Sequence, residues 1–150
     1  METIYTILKE EHDQLAELLQ QAVADSSKVS FLNIKIRAEP HMMGEEKFVY
    51  PRLEETEELR DLIAKAYNEH NEAKTLISEM DAMEERDESW TSKLRELKQS
   101  IDHHVKEEES KVFERARNIL SQQEAEKLAK QYVEFKRSYM NRVETGKRPI

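Results

Sequence analysis

Cysteine is absent from the 150-residue chain, and glycine and proline are rare, with two and three residues respectively. The lack of cysteine excludes disulfides, thiolate zinc sites, iron–sulfur clusters and thiol nucleophiles. No apolar run approaches the length of a membrane span, and the first residues lack the basic and apolar regions of a secretory signal. We therefore expect a soluble, cytoplasmic protein that does not enter a membrane.

Charge is abundant, since Asp, Glu, Lys and Arg make up 37% of the residues and the formal net charge is −8. This negative excess argues against binding to nucleic acids or anionic membranes. The apolar residues recur every three or four positions, which is the period of an amphipathic α-helix. Together with the scarcity of glycine and proline, the pattern predicts an all-α protein with a single core.

Polar, turn-prone clusters divide this pattern into segments, and short connections between long helices favour antiparallel neighbours. The predicted fold is therefore an up-down four-helix bundle. Its four helices are expected at residues 3–24, 28–53, 57–83 and 88–120.

A fifth helix is predicted after the bundle. Ser121-x-x-Glu124 is a capping-box signature, which marks the beginning of a helix. We expect a bundle domain at 1–120, an additional C-terminal helix at 121–145 that packs on it, and a flexible tail at 146–150.

The second helix contains a local conflict. Pro40 has no backbone N–H, and its ring clashes with the preceding turn, which costs about 3 kcal/mol inside a helix. Gly44 is a second poor helix former nearby. We expect the helix to kink at residues 36–40, and the alternative is a new helix that begins near Pro40.

Four of the five histidines are spaced to meet at one level of this bundle. The midpoint between each consecutive pair falls in a polar cluster where the chain is predicted to reverse. One histidine from each of four helices would then lie at the same height, which is the geometry of a metal site. These residues are His12, His41, His70 and His104.

Two of the histidines are followed four residues later by a glutamate, in the pairs His41/Glu45 and His104/Glu108. This spacing puts both side chains of a pair on one face of a helix. The residues around the two pairs match each other, and so do those around the other two histidines. The chain therefore consists of two related helix hairpins, each with a single histidine followed by a His-x-x-x-Glu pair.

The pooled set of four imidazoles and two carboxylates is suited to metal binding. Without thiolates it favours iron, manganese or zinc, and carboxylates on opposing helices can bridge two ions. Coordination positions would remain open for water, hydroxide or dioxygen. The alternative is structural, because a lone histidine on an apolar helix face is usually a core residue. Burying all six groups together without a metal would, however, be very costly.

Three segments resemble the hemerythrin-like, HHE cation-binding family: LKEEHD at 8–13, HMMGEEKFVYP at 41–51 and HHVKEE at 103–108. The resemblance extends over about residues 1–120. It implies a four-helix bundle that holds a carboxylate-bridged, non-haem di-iron centre. By position it implies as ligands the same six residues, His12, His41, Glu45, His70, His104 and Glu108.

One position departs from the oxygen-carrying hemerythrins. Those proteins have a second histidine four residues after the third-helix ligand, and here that position is Lys74. One iron would lack a nitrogen ligand, for which Glu46, Glu72 or water would have to substitute. The departure argues against simple reversible oxygen carriage, and not against metal binding. Pro40 also replaces the usual residue before the second-helix histidine.

Other residues near the predicted ligands are expected to lie outside the site. Tyr5, Tyr50 and Phe113 are predicted to be core residues and not redox relays. His103 lies about 100° around the helix from His104 and is predicted to be on the surface. Glu107 and Glu109 flank Glu108 in the sequence and are predicted to belong to a solvated face.

Three functions are consistent with these observations. The first is oxygen, redox or iron sensing, binding or storage, with dioxygen or a small diatomic or peroxide ligand as the partner. The second is a di-iron enzyme that reduces peroxide, nitric oxide or dioxygen. The third is a helical interaction module with a structural metal or none. A sensor would signal through a partner protein or a homo-oligomer, because no separate effector domain is evident.

Overall fold

The structure is a computed structural model that describes residues 2–144, so the predicted tail at 146–150 lies outside the described residues. Five helices follow one another, and two of them contain a five-residue π-helical segment. The helices are α1 (Ile4–Asp25), α2 (Lys28–Gly44, the π segment Glu45–Val49, then Tyr50–Leu53), α3 (a 3-10 turn Glu57–Leu59, then Arg60–Asp81), α4 (Trp90–Glu107, the π segment Glu108–Val112, then Phe113–Ala116) and α5 (Gln122–Glu144).

The first four helices form an antiparallel bundle. Helix α1 packs against α2 and α4, and α3 packs against α4 and α2. Helix α5 lies outside the bundle, against α1 and α2. The predicted all-α, up-down four-helix architecture with an additional C-terminal helix is thus confirmed. Within residues 2–144, no helix is long and apolar enough to cross a membrane.

Local polar contacts define the reversal between α1 and α2. Ser26 takes a left-handed conformation (φ 54°), and its N–H donates to the Ala22 carbonyl at 2.7 Å, which ends α1. The hydroxyl of Ser27 accepts from the N–H of Ser30 at 3.1 Å and caps α2. The indole of Trp90 donates to the Ser26 carbonyl at 2.9 Å, so the start of α4 is tied to this turn.

The predicted capping box is present at the beginning of α5. The N–H of Glu124 donates to the Ser121 hydroxyl at 3.1 Å, and the N–H of Ser121 donates to the Glu124 carboxylate at 3.3 Å. Arg52 at the end of α2 also donates to Glu124, at 3.0 Å from Nε. The first turn of α5 is therefore fixed to the bundle as well as capped.

Helix α2 runs through Pro40 without interruption, since its α-helical part extends from Lys28 to Gly44. The alternative of a new helix that begins near Pro40 is therefore wrong. Pro40 is buried, so the packing of its ring offsets part of the cost of the missing hydrogen bond. The kink at residues 36–40 stays a prediction. A change of hydrogen bonding to the π pattern follows at Glu45.

Two apolar clusters fill the bundle, one on each side of the level of the histidines. On α1, Leu8 belongs to the first cluster and Leu15 to the second, and His12 lies between them. The first cluster also includes Leu53, Ile63 and the α5 residues Leu128 and Tyr132. The second includes Phe31, Ile34, Trp90 and Leu97. The fold thus places a layer of polar side chains, at the level of the histidines, between two apolar cores. We call this layer the polar layer.

Gly44 lets α5 approach α2 closely. A Cβ built at this position would lie 2.6 Å from Cδ2 of Tyr132 and closer still to Cε2 of the same ring. The Tyr132 ring is fully buried, so it has little room to move aside. A glycine inside a helix, which is unfavourable by itself, is explained here by helix packing.

We predict that Gly44→Ala lowers the free energy of unfolding by about 1–3 kcal/mol, the usual cost of overpacking, measured by urea denaturation. In a Tyr132→Ala background the clash is absent, and the same change should stabilise the protein by about 1 kcal/mol through helix propensity. Ser78→Ala, at an exposed position of α3, is the control. An equal effect of Gly44→Ala in both backgrounds would contradict the packing explanation.

Candidate metal centre

The structure brings all six predicted ligand residues together in the polar layer. Their donor atoms form two groups, and within each group the atoms lie within 4.8 Å of one another. We call the group of His12 and His41 the first half-site and the group of His70 and His104 the second half-site. Glu45 and Glu108 belong to both groups, and all six residues are buried.

Each of the two shared carboxylates lies between one histidine of each half-site. The imidazole atom that faces the carboxylate is Nε2 in every case. The Nε2–oxygen distances are 3.1 Å for His41–Glu45, 3.2 Å for His70–Glu45, 3.2 Å for His12–Glu108 and 3.3 Å for His104–Glu108. This arrangement is suited to carboxylates that bridge two ions.

The other ring nitrogen of each histidine, Nδ1, is paired with a second glutamate. Such a pair fixes the orientation and the tautomer of a metal-binding imidazole and directs Nε2 to the ion. The Nδ1–oxygen distances are 2.7 Å for His12–Glu109, 2.8 Å for His41–Glu11, 2.7 Å for His70–Glu46 and 2.8 Å for His104–Glu69.

These second glutamates are neighbours of the ligands in sequence, but each supports a histidine on another helix. Glu11 precedes His12 and supports His41, while Glu109 follows Glu108 and supports His12. The prediction that Glu109 belongs to a solvated face is therefore wrong. Sequence reasoning missed the role of these residues, although their recurrence in both hairpins was a usable signal.

Glu46 does not take the place of the histidine that Lys74 replaces. Its carboxylate bonds to Nδ1 of His70, and the Lys74 ammonium donates to it at 2.9 Å. Lys74 therefore contacts Glu46, which orients the predicted ligand His70, and does not contact the Nε2 atoms. Glu72, the other candidate substitute, is exposed.

Several buried polar atoms in this layer form no hydrogen bond of suitable geometry, although imidazole and carboxylate atoms face each other there at 3.1–3.3 Å. They include Nε2 of His12, both carboxylate oxygens of Glu45 and one oxygen of Glu108. A buried polar group without a partner is costly, and native proteins pair nearly all of them. A cation between the carboxylates and the Nε2 atoms would pair these atoms. The donor set thus fits a metal with nitrogen and oxygen ligands.

The carboxylates also control the protonation of the imidazoles. Burial lowers the pKa of His41 and His104, but the shared carboxylates and the hydrogen bonds to Glu11 and Glu69 outweigh burial and raise both to about 10. Burial raises the pKa of Glu11, but its hydrogen bonds to His41, Lys136 and Tyr132 outweigh it and lower the value to about 2. A cation must therefore compete with protons for Nε2 of His41 and of His104.

Tyr50 makes the two half-sites different. Its hydroxyl donates to Glu108 at 2.5 Å and lies 3.2 Å from Nε2 of His70 and 3.4 Å from Nε2 of His104. The matching residue of the other hairpin is Phe113, whose ring is stacked on His12 with centroids 6.1 Å apart. Burial and the charge of Glu108 raise the pKa of Tyr50, so it stays protonated.

Tyr50 is a core residue, as predicted, but it also reaches the site, which sequence reasoning missed. In a regular α-helix it would lie about 180° around the axis from His41. The π segment that begins at Glu45 alters this phase. His103, by contrast, is 57% exposed and contacts Glu69 at 3.2 Å, so the prediction of a surface position is confirmed.

A small cavity of about 20 Å³ adjoins the four histidines on the side of the second apolar cluster. A space of this size holds a molecule as small as water. Its other walls are mainly apolar and include Leu15, Ala38, Met42, Ala73 and Ile101.

We predict that Glu46→Gln lowers metal affinity by about 10- to 100-fold, the usual effect of losing such a support, because a neutral amide holds the His70 imidazole less strongly. Glu72→Gln, which removes the same charge at an exposed position of α3, should leave affinity unchanged. Competition with a coloured chelator measures both. Equal affinities for the two variants would contradict the assigned role of Glu46.

The comparison with family models points to a cation-binding domain. The profile of the hemerythrin HHE cation binding domain matches residues 3–116, which include all six residues of the centre and leave out α5. A DNA nickase of Nostoc sp. (strain PCC 7120) is 28% identical over 109 residues, which are 69% of this chain and 29% of that protein. The chain thus spans less than a third of that relative's length. No solved structure matches the present chain significantly. Because the profile covers most of the sequence, the chain belongs to the hemerythrin HHE cation-binding domain family.

Proposed function

We propose that the chain binds two iron ions, one in each half-site, and serves in oxygen, redox or iron sensing, binding or storage. The observation that carries this proposal is the convergence of four inward-facing Nε2 atoms on two buried, shared carboxylates. Each ion would be held by two imidazoles and by the bridging carboxylates. Such a donor set leaves coordination positions open, as a site that meets a small ligand requires.

The small cavity supports a partner among the smallest molecules, the class to which dioxygen and peroxide belong. It lies against the histidines, and its walls are mainly apolar, so it favours a small molecule of low charge. When bound, the iron pair would supply the electrons for redox chemistry with such a ligand. The residues of the chain would hold the ions and limit the space beside them.

The activity in the name of the nickase relative is not part of the proposal. The matched residues make up 29% of that protein. The present chain has a formal net charge of −8, which opposes association with a phosphate backbone.

We predict that protein reconstituted with ferrous iron binds two ions per chain, one for each donor group. Two neighbouring histidines on α4 provide a matched pair of variants. His104→Ala removes a donor of the second half-site and should lower iron content, whereas His103→Ala changes an exposed side chain and should not. Elemental analysis of the purified proteins measures the ratio of metal to chain.

The same experiment with manganese and zinc tests the choice of metal, since these donors also suit both ions. Wild-type protein that retains neither iron nor another metal, and that stays folded with a chelator present, would contradict the proposal. This result would favour the third function considered above, a helical interaction module with a structural metal or none.

A second candidate is an enzyme that reduces peroxide, nitric oxide or dioxygen, and Tyr50 is the observation that favours it. Its protonated hydroxyl faces the second half-site from within the apolar core. A positioned proton donor next to a redox centre is a common component of reductive catalysis.

If the protein is such an enzyme, Tyr50→Phe should keep both irons and lower turnover by about 100-fold, the usual contribution of a general acid. The ring stays in the core, so the fold should be unaffected. Repeated consumption of peroxide by the iron-loaded protein is the assay. Slow oxidation without turnover in the wild type would exclude the enzyme and leave the sensing, binding or storage role.

A further inference from the structure

Helix α5 reaches the candidate metal centre at a single carboxylate. The Tyr132 hydroxyl donates to Oε1 of Glu11, and the Lys136 ammonium donates to Oε2 of the same residue. Oε1 of Glu11 also bonds Nδ1 of His41 at 2.8 Å, and the Tyr132 hydroxyl lies 3.2 Å from that nitrogen. Two residues of α5 thus form hydrogen bonds to Glu11, which in turn pairs with the predicted ligand His41.

The second half-site is supported differently. The Lys74 ammonium donates to Glu46, which pairs with His70, but the Lys74 side chain is 40% exposed and no residue of α5 takes part. Glu69 occupies the matching position of the other hairpin and bonds Nδ1 of His104 at 2.8 Å. Its other contact in the polar layer is with His103, whose side chain is 57% exposed. The two hairpins therefore match in their glutamates and differ in what restrains them.

The contacts of α5 with Glu11 are sheltered from solvent. Tyr132 is fully buried and its ring fills the space left by Gly44, which fixes the hydroxyl. The Lys136 side chain is 22% exposed and that of Glu11 is 15% exposed. A pair with this little exposure is screened less by salt than a surface pair.

We propose that Tyr132 and Lys136 are positioning residues that act through Glu11 on His41, so that α5 strengthens metal binding in the first half-site and not in the second. This inference rests on the proposed two-metal site. It adds a role for α5, which lies outside the residues that match the family profile. Because coupling between two events is reciprocal, metal in the first half-site should also stabilise the docked α5.

The test is the release of iron from the loaded protein to a ferrous chelator without oxygen. Tyr132→Phe/Lys136→Met keeps the ring and the chain length and removes both donors to Glu11. One of the two equivalents should leave about tenfold faster, within the range expected for loss of a supporting contact, while the other keeps its wild-type rate. Lys130→Met, at an exposed position of the same helix, is the control and should change neither rate.

Glu11→Gln tests whether the effect passes through this carboxylate. It should accelerate the release of the same iron equivalent, and adding the two α5 substitutions to it should give no further acceleration.

Hydrogen exchange gives a second measurement. Metal should slow the exchange of α5 amides in the wild type and not in the Tyr132→Phe/Lys136→Met variant.

Wild-type rates in the double variant, equal acceleration of both equivalents, or further acceleration in the Glu11→Gln background would each overturn the inference. These results differ from a failure of the proposed function, which would already appear as wild-type protein without metal.

Discussion

Each histidine of the polar layer lies between two carboxylates, and the rest of the structure depends on this arrangement. One glutamate pairs with Nδ1 and another faces Nε2, so the four rings are fixed with their Nε2 atoms directed inward. Burying so many polar groups is unfavourable, and the unpartnered atoms of Glu45 and Glu108 concentrate the cost at the centre. A pair of cations at this point would balance the charge and complete the bonding of the layer.

The helices maintain this layer in several ways. The apolar cores on either side keep water away, which strengthens every electrostatic interaction between them. The π segments begin at the two shared glutamates, one in each hairpin, as local departures from the α-helix often do at functional sites. Gly44 admits α5 close enough for Tyr132 and Lys136 to reach Glu11, so a helix outside the bundle contributes to the site.

Much of the site could be predicted from sequence because its main features are periodic. The spacing of the histidines and the His-x-x-x-Glu pairs depend on helix length and helix pitch, and Ser121-x-x-Glu124 is a local signal. The position of Tyr50 could not be predicted, because the π segment changes the phase of the helix after Glu45. The supporting glutamates were missed for another reason: each serves a histidine on a different helix, and such pairing depends on how the helices pack.

On this proposal, the two half-sites hold two ions through Nε2 of the four histidines. The most direct measurement is an anomalous difference map from crystals of iron-loaded protein, collected at the iron absorption edge. Two peaks are expected between Glu45 and Glu108, each within bonding distance of the Nε2 atoms of one histidine pair. A map without a peak in the polar layer, or with a single peak bound only at its edge, would contradict the proposal.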